Sequence, residues 1–239
     1  MRWVFTPDEF THVWESETSL DRRPYPINMM PAATVRTETE YAALRLPQRF
    51  ANRADPELAA ALALCAREDA TTVTISGERV AGPLRGGEPV EQRILAFAAV
   101  VDKHAGILVA DPDKVSVQLC HASELGERLV RVIGTARPGG LGPMREPQTE
   151  VLSPGSGAPE GHRGARRFRE TLRKPVDCRG FITVTVAPED PMSPPTRHCT
   201  WLDFTGDGRY LLTTAHDLEL IPVGDADFAG RLLHLARIH

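Results

Sequence analysis

The sequence predicts an α+β protein: a central, mostly antiparallel β-sheet with helices packed on it, in two quasi-two-fold related halves. Helix-start signatures and helical spacing dominate the chain before residue 70. From Thr71 onward the apolar positions change to the short runs and alternation that are typical of strands. Most connections between successive strands are only a few residues long, which favours antiparallel pairing, because parallel strands need longer crossovers.

Three helix starts are predicted in the first part of the chain. In Thr6-Pro7-Asp8-Glu9, the threonine can cap, the proline suits the first helical position and the glutamate sits three residues after the cap. The same signature recurs at Thr37-Glu38-Thr39-Glu40, and a third helix is predicted to begin at Asp55-Pro56-Glu57. Further helices are predicted after Ser123, over Ala165–Arg173 and from about Asp225.

Strands are predicted in two groups that share one plan. The first group is Thr71–Ser76, Arg93–Val101, Gly106–Ala110 and Lys114–Leu119, and the second is Gly180–Ala187, His198–Phe204, Arg209–Thr214 and Leu218–Pro222. A helix follows the last strand of each group. We therefore expect the two groups to form the two halves of the sheet.

The two halves superpose at an offset of 103 residues. This offset places Val115 and Val117 on Leu218 and Leu220, and the helix face that begins with Leu125 on the one that begins with Phe228. Few residues are identical, so the agreement lies in the apolar pattern, which any two such segments share in part. We predict one domain over residues 1–239, with halves of about 1–133 and 165–239. The Gly-, Pro- and Ser-rich residues 134–164 are predicted to be a flexible connection, within which Gln148 to Leu152 are a candidate for a short ordered piece.

Charge and hydropathy argue against two classes of partner. The formal net charge is −4, whereas nucleic-acid-binding domains usually carry a basic excess. The longest apolar stretch, Ile94–Val101, has eight residues, and a membrane span needs roughly 20. At the N-terminus, acidic residues and a proline come before any apolar run that is long enough for a signal peptide. We expect a cytoplasmic protein without membrane insertion, whose four separated cysteines are reduced and packed as small apolar side chains.

The sequence predicts no catalytic, cofactor or metal site. It has no GxSxG, GxxxxGK[ST] or HExxH motif, and no GxGxxG after a strand. The best metal candidates are the neighbouring pairs Cys120-His121 and His198-Cys199, but adjacent side chains on a strand point to opposite faces. The acidic residues at predicted strand ends and turns are interpreted as solvated carboxylates; they are Glu189, Asp190, Asp203 and Asp207.

The most basic cluster of the chain allows two interpretations. It comprises Ala165-Arg166-Arg167-Phe168-Arg169 together with Arg173 and Lys174. It is either the solvated face of a helix or a docking surface for an acidic patch on a partner protein.

The sequence resembles the EspG family of ESX (type VII) secretion-associated proteins over most of its length. The residues that carry the resemblance are Phe5-Thr6-Pro7-Asp8-Glu9-Phe10, Trp14, Arg23-Pro24-Tyr25-Pro26, Arg179-Gly180-Phe181, Thr200-Trp201-Leu202-Asp203 and Gly208-Arg209-Tyr210-Leu211. They are fold markers rather than a catalytic signature. The resemblance implies a sheet flanked by helical bundles and a cytosolic chaperone that uses no cofactor. It also implies a partner, a PE–PPE-like heterodimer that the chaperone keeps soluble until export.

The resemblance also implies where the partner binds, namely the loop between the second and third sheet strands together with the C-terminal helical region. By position that loop is Pro83, Leu84, Arg85, Gly86, Gly87, Glu88, Pro89, Val90 and Glu91. Its glycines and prolines disfavour regular pairing, so backbone donors stay available, and its charged side chains offer charge complementarity. Two alternatives stay open: a regulatory module with a different partner, and a small-molecule enzyme that uses Asp203, Asp207 or His198.

Overall fold

The computed structural model describes residues 1–30, 34–50, 55–81, 90–152 and 163–238. The strands are β1 (Arg2–Phe5), β2 (Thr71–Ala81), β3 (Val90–Val101), β4 (His104–Asp111), β5 (Lys114–His121), β6 (Met144–Pro147), β7 (Val176–Thr185), β8 (Arg197–Phe204), β9 (Gly208–Thr214) and β10 (Asp217–Pro222). They form one ten-stranded sheet in the order β1-β5-β4-β3-β2-β7-β8-β9-β10-β6. Neighbouring strands pair antiparallel throughout, so the predicted α+β class is confirmed.

The helices are α1 (Pro7–Thr18), α2 (Glu38–Ala43), α3 (Leu46–Arg49), α4 (Pro56–Cys65), α5 (Leu125–Ile133), α6 (Gln148–Leu152), α7 (Arg163–Leu172) and α8 (Asp225–Leu235), with a 3₁₀ turn, η1, at Ile27–Met29. The predicted caps are confirmed, because Thr6 and Thr37 each form a reciprocal capping box with the glutamate three residues later. The four-residue strand β1 was not predicted, since so short a segment carries little alternation.

The two halves meet at β2 and β7, the central pair of the sheet. Strands β2 to β5 with helix α5 correspond in order and pairing to strands β7 to β10 with helix α8. Gly77 pairs with Gly180, 103 positions later, which is the offset that the apolar pattern predicts. Where α5 crosses α8, Gly126 lies against Ala229, which is again 103 positions later. The helices are so close here that a Cβ atom on Gly126 would be 2.5 Å from the Ala229 carbonyl oxygen. The quasi-two-fold axis passes through both contacts.

Apolar residues alternate between the two faces of the sheet and build separate cores. On one face, which we call the paired-helix face, α5 and α8 cover a core that includes Ile75, Ile182 and Trp201. On the opposite face, α1, η1 and α4 cover strands of the first half. Helices α6 and α7 cover the outer strands of the second half on that same face. The helices of this second face thus stand at its two ends.

Polar contacts explain several of the residues that carry the family resemblance in the first half. The buried Asp8 carboxylate accepts a hydrogen bond from the Thr34 backbone N–H at 2.9 Å. The Trp14 indole N–H donates to the Arg22 carbonyl at 3.1 Å, and the Arg23 guanidinium donates to the Met30 carbonyl at 2.7 Å. These bonds fix the chain that leaves α1, so the residues that form them are constrained by the fold.

The candidate ordered piece at Gln148 to Leu152 is helix α6, but the prediction of a flexible connection needs correction elsewhere within residues 134–164. Residues 144–152 form β6 and α6, α7 begins at Arg163, and 153–162 lie outside the described residues. Residues 137–141 run along β9: the Arg209 N–H donates to the Arg137 carbonyl at 2.9 Å and the Gly139 N–H donates to the Arg209 carbonyl at 3.1 Å. The glycine and proline content correctly predicts a segment without regular secondary structure at residues 137–141. It does not predict that the segment is ordered, because its hydrogen-bond partners lie some 70 residues later in the sequence.

The same segment is held by two polar side chains of the β8–β9 hairpin. The Tyr210 hydroxyl accepts a hydrogen bond from the Leu141 N–H at 2.8 Å, and the Asp207 carboxylate accepts one from the Gly140 N–H at 2.7 Å. The Gly140 bond, aided by the Tyr210 hydroxyl and Lys174, holds the pKa of Asp207 below its usual range. The tight turn between β8 and β9 therefore also anchors a neighbouring segment.

Arg209 is a buried cation at the centre of the second half. It is 1% exposed, and its guanidinium forms two hydrogen bonds with the Asp203 carboxylate, at 2.7 and 2.8 Å. It also lies 5.4 Å from the centre of the Phe228 ring. Its Nη1 atom is 3.6 Å from Asp225 Oδ1 and has no hydrogen-bond partner among the described residues. The pair therefore ties β8, β9 and α8 together.

Candidate partner-binding surface

The middle of the second face is not covered by the described helices, which pack at its two ends. We call this area the central open surface and define it by side chains of three strands: Ser76 and Glu78 (β2), Arg179 and Phe181 (β7), and Thr200 and Leu202 (β8). It forms a cavity of about 660 Å³ whose lining also includes Met29, Arg93, Leu95 and Leu212. The ring of Phe181, 68% exposed, lies in this area.

The exposure of Phe181 follows from the packing of β7 on the paired-helix face. Cys178, Gly180, Ile182 and Val184 alternate into that face and are buried, so Phe181 must point the other way. Gly180 has no side chain because Trp201 fills the space there, and a Cβ atom would also come within 2.6 Å of the Ser76 carbonyl oxygen. The segment Arg179-Gly180-Phe181 therefore combines one position required by packing with two side chains left for solvent or a partner.

Polar groups surround the apolar centre of this surface. Towards the β2–β3 connection, the Arg179 Nε donates to Glu78 Oε1 at 2.6 Å across β2 and β7. Towards the other end, the Thr183 hydroxyl lies 3.0 Å from His198 Nδ1. An apolar centre with a polar rim is the usual composition of protein–protein contact areas.

The predicted binding loop lies mostly outside the described residues. Pro83 to Pro89 are not among them, while Val90 and Glu91 begin β3 and Glu91 is exposed. The segment connects β2 to β3 at the end of the sheet where the Glu78–Arg179 pair borders the central open surface. The sequence analysis did not single out Phe181 as a candidate site residue, although it is exposed in this area. Its signal was an aromatic residue on the strand face opposite Gly180 and Ile182.

The basic cluster of the sequence lies on α7. Phe168 is fully buried in the core under α6 and α7, whereas Arg166 is exposed and forms an ion pair with Glu170 at 3.3 Å. Arg169 donates to the Glu150 carbonyl at 2.8 Å and so links α7 to α6. The cluster is a charged helix face with an apolar anchor, at the edge of the second face.

The titratable candidates of the sequence do not converge. Cys120 and Cys199 are buried in the paired-helix core while their neighbours His121 and His198 are exposed. Burial raises the pKa of Cys199 to about 11, so this thiol stays protonated. His198 and Asp203 point to opposite faces of β8, roughly 16 Å apart along the strand. No group of three or more His, Cys, Asp or Glu side chains suited to a metal ion occurs in the described part of the chain.

Comparison with known proteins identifies the fold and the family. The sequence matches the EspG family over residues 6–233. Among solved structures, the chain is similar to the type VII secretion system chaperone EspG5 of Mycobacterium tuberculosis, which was solved in complex with the PE25–PPE41 dimer. The TM-score is 0.64 at 12% identity, covering 96% of this chain and 94% of that one. Comparison with curated proteins gives no match.

Hydropathy adds one observation. None of the described helices has both the length and the apolar character required to cross a membrane. The family match covers strands β2 to β10 and, apart from Phe5, every residue that carries the sequence resemblance. The chain belongs to the EspG family.

Proposed function

We propose that this protein is a cytoplasmic chaperone of a type VII secretion system. It binds a PE–PPE-like heterodimer and keeps that dimer soluble before export. The observation that carries the proposal is the family match over residues 6–233, joined to a fold shared over nearly the whole chain with a chaperone solved on such a dimer. In this proposal the protein acts by binding the heterodimer, and it catalyses no reaction.

The central open surface supports this proposal physically. A large aromatic side chain at the centre of a shallow apolar area is the usual form of an interface hot spot. Phe181 lies among Leu95, Leu202 and Leu212, with the Glu78–Arg179 pair at the rim. A helical tip laid across the strands would bury the ring and meet the rim charges. The residues Pro83 to Glu91 are proposed to extend this contact at the β2–β3 end.

The groups that an enzyme hypothesis would use are engaged in structural contacts. His198 hydrogen-bonds Thr183 and Asp203 pairs with Arg209. Asp207 accepts hydrogen bonds from Gly140 and Tyr210. These contacts account for the side chains without a reaction, which favours the chaperone over the small-molecule enzyme.

Co-expression tests the proposed function. The chain is produced together with each PE–PPE-like pair encoded in its own genome, and the soluble fraction is separated by size-exclusion chromatography. We expect one pair to co-elute with the chain at 1:1:1 stoichiometry and to lose solubility when the chain is omitted. If every pair is equally soluble alone and elutes separately, the proposed function is wrong.

A further inference from the structure

A second cavity, of about 580 Å³, lies on the paired-helix side between α5 and strands β1, β5 and β4. Five arginines line it: Arg2, Arg79, Arg93, Arg128 and Arg131. The protein as a whole has a formal net charge of −4, so this concentration of guanidinium groups is local. We call the cavity the arginine groove.

Three of the five guanidinium charges have no carboxylate partner in the described part of the chain. Arg128 pairs with Glu124 at 2.8 Å and Arg131 with Glu127 at 3.2 Å. In contrast, Arg79 donates to a neutral acceptor, the Ile133 carbonyl at the end of α5. For Arg2 and Arg93, the described residues provide neither an ion pair nor a side-chain hydrogen bond.

The groove also contains a buried polar group and a carboxylate that is already paired. Ser116 is 2% exposed and lines the groove, and its hydroxyl has no hydrogen-bond partner among the residues described. The acidic residue of the lining, Asp111, lies 3.7 Å from Lys114. An anionic ligand would thus meet unpaired guanidinium groups and a free hydroxyl.

The groove continues onto the free edge of the sheet. Strand β1 is the terminal strand, and Met1 exchanges two backbone hydrogen bonds with Leu119 of β5. In an antiparallel ladder, hydrogen-bonded residue pairs alternate with pairs that are not hydrogen-bonded to each other. Arg2 and Val4 are at the second kind of position, so their N–H and C=O groups point away from β5. Their side chains lie on the groove side, opposite the buried Phe5, and Val4 is 52% exposed. Unpaired strand edges are templates for an added strand.

We propose that the arginine groove and the edge of β1 bind an acidic, extended segment of a partner protein. The segment adds to the sheet as a strand beside β1, and its alternate carboxylates lie on the groove side. Backbone bonds to Arg2 and Val4 provide the alignment, and the Arg2 guanidinium contacts an acidic side chain of the segment. Arg79 and Arg93 lie on β2 and β3, further into the sheet, and act on the segment only through the positive field of the groove. The arginine groove lies mainly on the face opposite the central open surface. Arg93 lines both cavities, because β3 extends beyond the end of β4 at this position. The chain can therefore hold a cargo and this segment together.

Fluorescence anisotropy with labelled peptides tests this inference on the full chain, tagged at its C-terminus. The probe is an amidated Val-Glu-Val-Glu-Val-Glu-Val peptide, and the matched control has Gln at every Glu. We expect saturable binding of the Glu peptide that weakens as salt rises, and at least about 10-fold weaker binding of the Gln peptide. Equal binding of both peptides, or no saturable binding of either, would overturn the proposal.

Two variants separate the charge from the strand edge. Arg2→Gln with Arg93→Gln removes two unpaired charges, and Val4→Pro removes one edge N–H without changing the charge. Each is expected to weaken Glu-peptide binding at least about 5-fold, while Arg166→Gln on α7 leaves it unchanged. If Val4→Pro binds normally, or if inorganic phosphate displaces the peptide at equal concentration, the groove is a small-anion site and strand addition is wrong. Co-elution of the Val4→Pro variant with the cargo heterodimer is measured as well. This separates a failure of the strand-addition proposal from a failure of the proposed chaperone function.

Discussion

Replacing Asp203 with Asn is expected to lower the free energy of unfolding by about 3 kcal/mol, because it leaves a buried guanidinium without its counter-charge. Arg209 is 1% exposed and donates both of its short charged hydrogen bonds to the Asp203 carboxylate. The remaining carboxylate, on Asp225, lies 3.6 Å from Nη1 and is too far to replace them. Urea unfolding followed by circular dichroism measures the change.

The control for this variant is Asp217→Asn, which breaks the exposed Arg145–Asp217 pair of 2.7 Å. Exposed pairs contribute at most about 1 kcal/mol, so a small effect is expected there. The double variant Asp203→Leu with Arg209→Met removes both charges and should recover at least half of the loss. If Asp203→Asn unfolds at the same urea concentration as Asp217→Asn, the buried pair does not hold the second half together.

Replacing Phe181 with Asp is expected to weaken cargo binding at least about 30-fold, which is the effect of losing a central aromatic hot spot. The ring is 68% exposed, so the fold should lose no more than about 1 kcal/mol, mostly through the low strand propensity of Asp. Phe181→Thr keeps a strand-forming residue while removing the ring, and should weaken binding by a similar factor. Competition between each variant and the tagged parent chain for the co-expressed heterodimer gives the relative dissociation constants.

The matched control is Met192→Asp, since Met192 is an even more exposed apolar residue, at 86%, on the β7–β8 connection outside the cavity. Its dissociation constant is expected to stay within about 3-fold of the parent protein. Equal weakening by Met192→Asp and Phe181→Asp would show that general surface charge governs the affinity, and would remove the central open surface from the account.

Much of the scaffold could be predicted because its signals are local. The capping boxes at Thr6 and Thr37 lie within four residues, and the alternation of the central strands is long enough to reveal their buried faces. The offset of 103 residues between the halves could also be predicted from the apolar pattern, because equivalent strands and helices in the two halves bury the same faces. These features depend on neighbours in sequence.

The parts that were missed depend on contacts distant in sequence. Strands β1 and β6 have four residues each and are defined by β5 and β10, their partners. Residues 137–141 are ordered by hydrogen bonds to the β8–β9 hairpin. The same limit applies to the site: alternation shows that Phe181 faces away from the paired-helix core, but only the placement of α1, α4, α6 and α7 shows that its side of the sheet is open.

The two faces of the central sheet thus have different roles in this account. At the centre of the paired-helix face, Trp201 over Gly77 and Gly180, together with the close α5–α8 crossing, leaves no room for a partner. On the other face, the same strands present Phe181 and its polar rim between two groups of helices. The quasi-two-fold arrangement closes the centre of one face and leaves the centre of the other face for the cargo.

Site-specific photo-cross-linking is the most direct test of this claim. The photoreactive residue p-benzoylphenylalanine replaces Phe181 in one variant and Met192 in another, and each is irradiated with the co-eluting heterodimer. We expect a covalent product of the chain with a subunit of the heterodimer from position 181 and none from position 192. A product from position 192 alone would place the cargo elsewhere and contradict the assignment of the central open surface.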